Sequence, residues 1–503
     1  MRLSGLLAAG SVALVLAAPS VAGHIVGTRA PDLLLGTSRP DGISSRGGSD
    51  RIDVAGGLRD TVSCGAGSDL VAADATDRIA RDCERISRRI STDSLTGGGA
   101  QHASEAEPDS FSRGKKVVAA FQVGRYDDGG AQAIGFAVSS DAGRTWRHGL
   151  LPRLTRSTSG PFLRASDPAV AYDERHGLWL VATLALGASD SALAVNRSSD
   201  GLHWSPPLLV AQKPNGPNGI MFDKEWIACD NGGASPFHGR CYLSYSDIEN
   251  LRLSTQYSGD GGATWSAPVG SPDGTGRRGI EDPVSAPGPQ PLVLSDGTLV
   301  VPVFDGDRIV AVRSTDGGAS FSSAILIAPS RFGRSGTLRS SQLPSAEVGA
   351  DGTIALVWPD CGPRALCSAN DLVLSTSRDG VAWTAPLTIP LGPGNHVIPR
   401  LAADRARPGR LALAYYTQAT RGSRLDAEFV SSRDGGRTWT RPARLSPESM
   451  PVNRIARAGG AMVGDYISTS FANGRAVPVF VLAQSPRAGR LRQATYASSL
   501  AVP

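Results

Sequence analysis

Lysine is almost absent. The chain has 503 residues and 51 Lys+Arg, but only positions 115, 116, 213 and 224 are lysine, and no five-residue basic run occurs. A net charge of +5 over that length, without a basic tail, gives no nucleic-acid-binding arm. Long apolar runs are also missing. No stretch reaches 18 consecutive apolar residues, so insertion into a membrane as a helix is not expected. There is no CxxC, and the seven histidines form no ligand-spaced cluster with cysteine, which argues against a zinc site. Charged residues at 19% and hydrophobics at 41% exclude a disordered chain.

What is abundant is turn chemistry. Sixty glycines and 34 prolines, 94 of 503 residues, argue against a helical bundle and for many short strands joined by tight turns. At the N-terminus, Arg2, the apolar stretch Leu6 to Ala18 and the small residues Ser20-Val21-Ala22 read as a Sec-type signal peptide over residues 1–22. The protein is therefore expected to be secreted. Six cysteines fall into three local pairs, Cys64/Cys83, Cys229/Cys241 and Cys361/Cys367. An even number in an exported chain suggests disulfides, although six cysteines allow fifteen pairings.

Residues 23–87 carry a short repeat. Arg46-Gly-Gly-Ser-Asp50-Arg-Ile52 is followed by Gly56-Gly-Leu-Arg-Asp60-Thr-Val62 and Gly65-Ala-Gly-Ser-Asp69-Leu-Val71. Asp41, Asp50, Asp60 and Asp69 are spaced by 9, 10 and 9 residues. Glycines permit the tight turns, and a hard cation wants several oxygen ligands. The pattern resembles the calcium-binding nonapeptides of repeats-in-toxin proteins. The resemblance implies a small β-roll with Ca²⁺ held by Asp50, Asp60 and Asp69, and Cys64–Cys83 as its staple. The alternative is a metal-free, turn-rich segment.

A longer repeat dominates the rest. Ser139 to Trp146, Ser198 to Trp204, Ser258 to Trp265, Ser314 to Phe321, Ser377 to Trp383 and Ser432 to Trp439 share one pattern, Ser-x-Asp-x-Gly leading to an aromatic, with the Gly one position earlier in the second and fifth. Their aspartates are 59, 60, 56, 63 and 55 residues apart. The Asp can accept N–H bonds within a hairpin turn, the Gly takes the left-handed position, and the aromatic buries its ring between neighbouring sheets. Trp146, Trp265 and Trp439 are thus expected to be largely buried.

These segments resemble the Asp box, or bacterial neuraminidase repeat, of sialidase-like β-propellers. The resemblance implies an all-β fold: a propeller over residues 105–503, preceded by the Gly/Asp-rich roll and by a linker or closing strand over 88–104. Inner strands should begin near Glu107, Asp167, Asp223, Gln290, Leu343, Val397 and Gly464. The last unit lacks a box and shows three strands, and residues near Ile90 could supply its fourth. Seven blades are preferred over six.

A sialidase of this type clamps its substrate's carboxylate with three arginines and uses a Tyr–Glu nucleophile pair and an Asp acid. By that resemblance Tyr466 would be the nucleophile, Glu225 or Glu281 its base, Arg400 one clamp and Asp167 the acid. The family's Arg-Ile-Pro signature before the first box is absent. Glu107, Asp167, Asp223, Glu225, Glu281, Asp282, Arg400, Asp465 and Tyr466 sit where inner strands start and can face a central channel. Two functions follow: a monomeric secreted propeller binding a glycan or other extracellular ligand at the channel mouth, or an exo-α-sialidase-type glycoside hydrolase.

Overall fold

The computed structural model describes residues 13–16, 23–216, 219–281, 288–333, 336–419, 423–487 and 489–502. The chain is all-β; among the described residues the helical pieces are Arg277–Glu281 and three three-residue 3₁₀ turns. Two compact units are present, Met1–Arg89 with Leu445–Glu448, and Ile90–Arg444 with Ser449–Pro503. The expected leader falls largely outside the described residues; its Ala13–Leu16 forms a strand parallel to Asp32–Leu35.

The first unit is a β-solenoid-like stack. His24–Val26, Gly42–Ser44, Thr61–Ser63 and Arg78–Ile79 form one parallel sheet, and Asp32–Leu35, Arg51–Asp53, Leu70–Ala73 and Arg85–Arg89 form another. One coil therefore takes two of the nine- or ten-residue repeats. Ile25, Leu34, Ile43, Ile52, Val62 and Val71 fill the space between the sheets. Cys64 and Cys83, 19 residues apart, are joined by a disulfide. Glycine is required where coils touch: a Cβ on Gly65 would stand 1.9 Å from the Arg46 carbonyl oxygen, and its φ is +80°.

The second unit is built from antiparallel meanders. Their first strands are Ala106–Arg113, Arg164–Asp173, Phe222–Cys229, Leu292–Val293, Ser345–Val348, Asn395–Ala403 and Ser468–Ala472, each followed by its partners in sequence order. Each first strand contacts the next, and Ser468–Ala472 returns to Ala106–Arg113, where the Ser110 and Ser468 hydroxyls are 2.8 Å apart. The seventh meander runs through Ser468–Ala472, Arg475–Ala483 and Gln493–Ser498, and the short strand Leu500–Ala501 also pairs with Arg475–Ala483. Its outer edge is met by the Ile90 N–H, which donates to the Thr495 carbonyl at 2.9 Å, and by Ser91 Oγ, which accepts the Thr495 N–H at 2.8 Å. The Cys229–Cys241 disulfide bridges neighbouring strands, and Cys361–Cys367 joins cysteines six positions apart.

The core is divided among the spaces between successive sheets. Val118, Ile134 and Phe136 face Val170, Trp179 and Val181, and Val117 and Phe121 face Val477 and Val479. The six Ser-x-Asp turns wedge into these spaces. In the first, Ser139 Oγ accepts the Gly143 N–H at 2.8 Å, Asp141 Oδ1 accepts the Thr145 N–H at 2.9 Å, and Asp141 Oδ2 accepts the Thr145 hydroxyl at 2.7 Å. The other five repeat the Ser and Asp bonds. Each turn leans on the preceding sheet. A Cβ on Gly143 would meet Val477 at 2.9 Å, and one on Gly436 would meet Leu374 at 2.2 Å. Trp146 is buried as expected, but Trp265 and Trp439 are only half-buried, each packed against a core cluster without being enclosed by it.

Candidate functional site

Four first strands share an irregularity. Register shifts lie between Ala106 and Asp109, Ser166 and Ala169, Asp223 and Trp226, and Val397 and Arg400. At each, a non-glycine residue takes a left-handed φ: Glu107 at 49°, Asp167 at 48°, Lys224 at 53° and Ile398 at 54°. Such a conformation costs about 1–3 kcal/mol and persists where surrounding contacts impose it. The bulge adds one residue and re-aims a side chain. Three of the four then meet. Lys224 Nζ donates to Asp465 Oδ2 at 2.7 Å, to Asp167 Oδ1 at 2.9 Å and to Glu107 Oε1 at 3.3 Å.

A second cation closes the cluster. Arg339 donates from Nε and Nη2 to the two Asp465 oxygens at 2.9 and 2.6 Å, and from Nη1 to the Ala458 carbonyl at 3.2 Å. Arg125 Nη1 reaches Glu107 at 3.4 Å, and Gln122 also donates to that carboxylate. Burial would raise the Asp465 carboxyl, but Arg339 and Lys224 outweigh it and hold it below the ordinary range. Burial also opposes the Lys224 charge, yet Asp167, Asp465 and Glu107 push its pKa well up.

Two carboxyls in the group have no cation to themselves. Burial raises Asp223 to about 7 in spite of Lys224 nearby. Burial, with Asp167 adding repulsion, pushes Glu225 well above the carboxylate range, and both Glu225 oxygens are buried without a hydrogen-bond partner. Tyr466 is buried; its hydroxyl donates to the Pro168 carbonyl at 3.3 Å, and its ring meets Trp226 edge-on at 4.9 Å. Burial raises its phenol, with Glu107 and Asp167 adding to the effect, so it is neutral. Arg400 lies over Trp226 at 4.7 Å and donates to Asp109 at 3.3 Å.

The structure thus gathers Glu107, Asp167, Asp223, Glu225 and Asp465, with Tyr466 and Arg400 tied in through Trp226. The Glu281 side chain and Asp282 lie outside the described residues. Lys224, Arg339 and Arg125 were not singled out from sequence. The signal for Lys224 was present: it is one of four lysines, and it sits between two acids at the start of an inner strand.

The solenoid aspartates make a different arrangement. Asp50 Oδ1 accepts the Asp32 N–H at 2.8 Å, Asp60 Oδ1 the Asp41 N–H at 2.7 Å, and Asp69 Oδ1 the Asp50 N–H at 2.7 Å. Each carboxyl thus caps the backbone of the coil before it. The second oxygens of Asp50, Asp60 and Asp69 are buried without partners. Among the described residues no three His, Cys, Asp or Glu side chains are grouped to hold a metal ion.

The sequence matches no family model and no curated protein. Solved structures to which the chain is similar include the leech intramolecular trans-sialidase, at 14% identity and a TM-score of 0.45 over 69% of this chain and 68% of that one. The NanB sialidase of Streptococcus pneumoniae has 14% identity and a TM-score of 0.41 over 82% and 70%. The α-L-arabinofuranosidase of Fusarium graminearum has 11% identity and a TM-score of 0.44 over 82% and 97%. Among the described residues no helix is long and apolar enough to cross a membrane.

Proposed function

We propose that the second unit is a seven-bladed, sialidase-type propeller of a secreted, monomeric protein, and that it binds a glycan at the channel mouth. The closed circuit of first strands and the six Ser-x-Asp turns support the propeller. Three disulfides are consistent with an extracellular site of action. The observation that carries the binding reading is the convergence of Glu107, Asp167 and Lys224, three strained bulge residues from three meanders, on one point. Backbone strain held at one end of several strands is a mark of a functional site.

Binding is preferred over sialoside hydrolysis because a carboxylate clamp needs free guanidinium groups. Here Arg339 is engaged through all three nitrogens by Asp465 and the Ala458 carbonyl, Arg125 is held by Glu107 through Nη1, and Arg400, though bonded to Asp109 through Nη2, keeps Nε and Nη1 without partners, so the three do not make a free trio. The test is a glycan array read beside fluorogenic sialoside and glycoside hydrolysis with the full purified chain. Saccharide binding without turnover is the expected result. Sialoside turnover that Tyr466→Phe abolishes would replace this reading with the hydrolase.

A further inference from the structure

The first strands have a second end. The bulges described above lie near the strand starts. Toward the other end, residues 110–114, 402–406 and 469–471, from the first, sixth and seventh meanders, line a hollow of about 320 Å³, and Glu347 reaches it from the fifth. Small-molecule sites begin at roughly that size, about 300 Å³. Polar capacity is left over in its wall. Arg405 lays its guanidinium on the Phe111 ring at 4.4 Å and is exposed. Its ion-pair partner Glu347 stands 3.9 Å away, beyond hydrogen-bond reach. The other Glu347 oxygen is 3.9 Å from Arg400 Nη2, which bonds Asp109 at 3.3 Å. The Ser470 hydroxyl is buried in the same wall without a partner.

A ligand here meets a guanidinium that donates and a carboxyl that accepts, side by side. A hydroxyl can serve both, and neighbouring ring hydroxyls can take one each. The charges around the hollow are matched: Arg113 with Glu174, Arg410 with Asp404, and Arg400 and Arg405 with Asp109 and Glu347. An ion of either sign would disturb that balance; a neutral polyol would not. We infer that this hollow is a second saccharide site, at the end of the first strands away from Lys224, holding a neutral sugar residue by adjacent hydroxyls between Glu347 and Arg405.

The experiment titrates the full chain with the methyl glycosides of glucose, galactose, mannose and N-acetylglucosamine, and follows hydrogen exchange in parallel. At least one should bind and slow exchange of amides in 110–114 and 402–406. Arg405→Gln, with its melting temperature checked against the parent, should weaken that binding at least about tenfold, as loss of a hydrogen bond to a charged group does. Glu347→Gln should do the same; Arg405, being exposed, keeps the test valid if the buried Glu347 variant does not fold. Protection confined to 222–229 and 464–466 would place the sugar at the channel mouth alone, overturning this inference and leaving that reading intact. Binding of no glycoside, or binding that Arg405→Gln leaves unchanged, overturns it as well. Binding of glucuronate at the hollow without any neutral glycoside would make it an anion site and overturn the assignment.

Discussion

Lys224 Nζ lies 2.7 Å from Asp465 Oδ2 across 241 residues of chain. The bond ties the third meander to the segment leading into the seventh, and Glu107 and Asp167 bring in the first and second. Removing the ammonium would leave three buried carboxylates without it. Lys224→Met should therefore lower the stability of the second unit by about 3–5 kcal/mol at neutral pH, read by denaturant unfolding. A loss below about 1 kcal/mol would show that the carboxylates are satisfied some other way.

The Ser-x-Asp turns should carry stability in proportion to burial. Trp146 sits among Val117, Phe121 and Val477, so Trp146→Ala should cost about 3–5 kcal/mol. Trp439, half-buried, should cost clearly less when truncated. Equal losses at the two sites would mean that ring burial is not what these aromatics contribute.

Closure through the N-terminal segment has its own test. Ile90 is fully buried with Val117, Val477 and Ala497, and its N–H bonds Thr495. Ile90→Ala should cost about 2–5 kcal/mol and raise hydrogen exchange at Gln493–Ser498 first. Exchange that rises uniformly, or not at all, would mean that the seventh meander does not depend on this edge.

The solenoid and the Ser-x-Asp turns should respond to acid in opposite directions. Asp60 is raised from 3.8 to about 7, burial being the main cause, so the folded solenoid holds a proton that the unfolded chain has lost between those values. Its stability is full below about pH 4 and falls as pH rises toward 7. Asp260 and Asp434 are the reverse case. Burial raises them, but the bonds from Thr264 and Thr438 dominate and bring each to about 2. Their contribution is present above about pH 4 and is lost as pH falls toward 2. Hydrogen exchange at pH 4.5 and 7.5 should show solenoid amides better protected at the lower pH, an effect that Asp60→Asn reduces. Protection that millimolar Ca²⁺ leaves unchanged would make the segment metal-free; a calcium-dependent gain would support the metal-binding assignment of Asp50, Asp60 and Asp69.

The repeat made the meanders legible, since six similar turns at a near-constant period fix where each first strand must begin. The solenoid was legible from its aspartate spacing, but not the use of its carboxyls, which depends on coil-to-coil contact. At the candidate site the acids were legible and the cations were not. Strand alternation assigns Asp223, Lys224 and Glu225 to alternate faces, and the bulge at Lys224 breaks that parity. The dipeptides Glu107-Pro108, Asp167-Pro168 and Ile398-Pro399 were the available hint, because proline inside a strand marks a bulge or an edge. Arg339 comes from a connecting segment outside the repeat, so no periodicity could place it.

Six turns lean on six preceding sheets, so one junction, between the sixth and seventh meanders, goes without. There the Tyr416 hydroxyl donates to the Val481 carbonyl and accepts the Val481 N–H, both at 2.9 Å, and Arg410 reaches the carbonyls of Gly474 and Val502. A few polar stitches take the place of a wedged aromatic. Mechanically, this junction is the seam. Stretched from its two ends, the second unit should first release the Ile90–Thr495 edge and then tear at Tyr416, before any boxed junction yields.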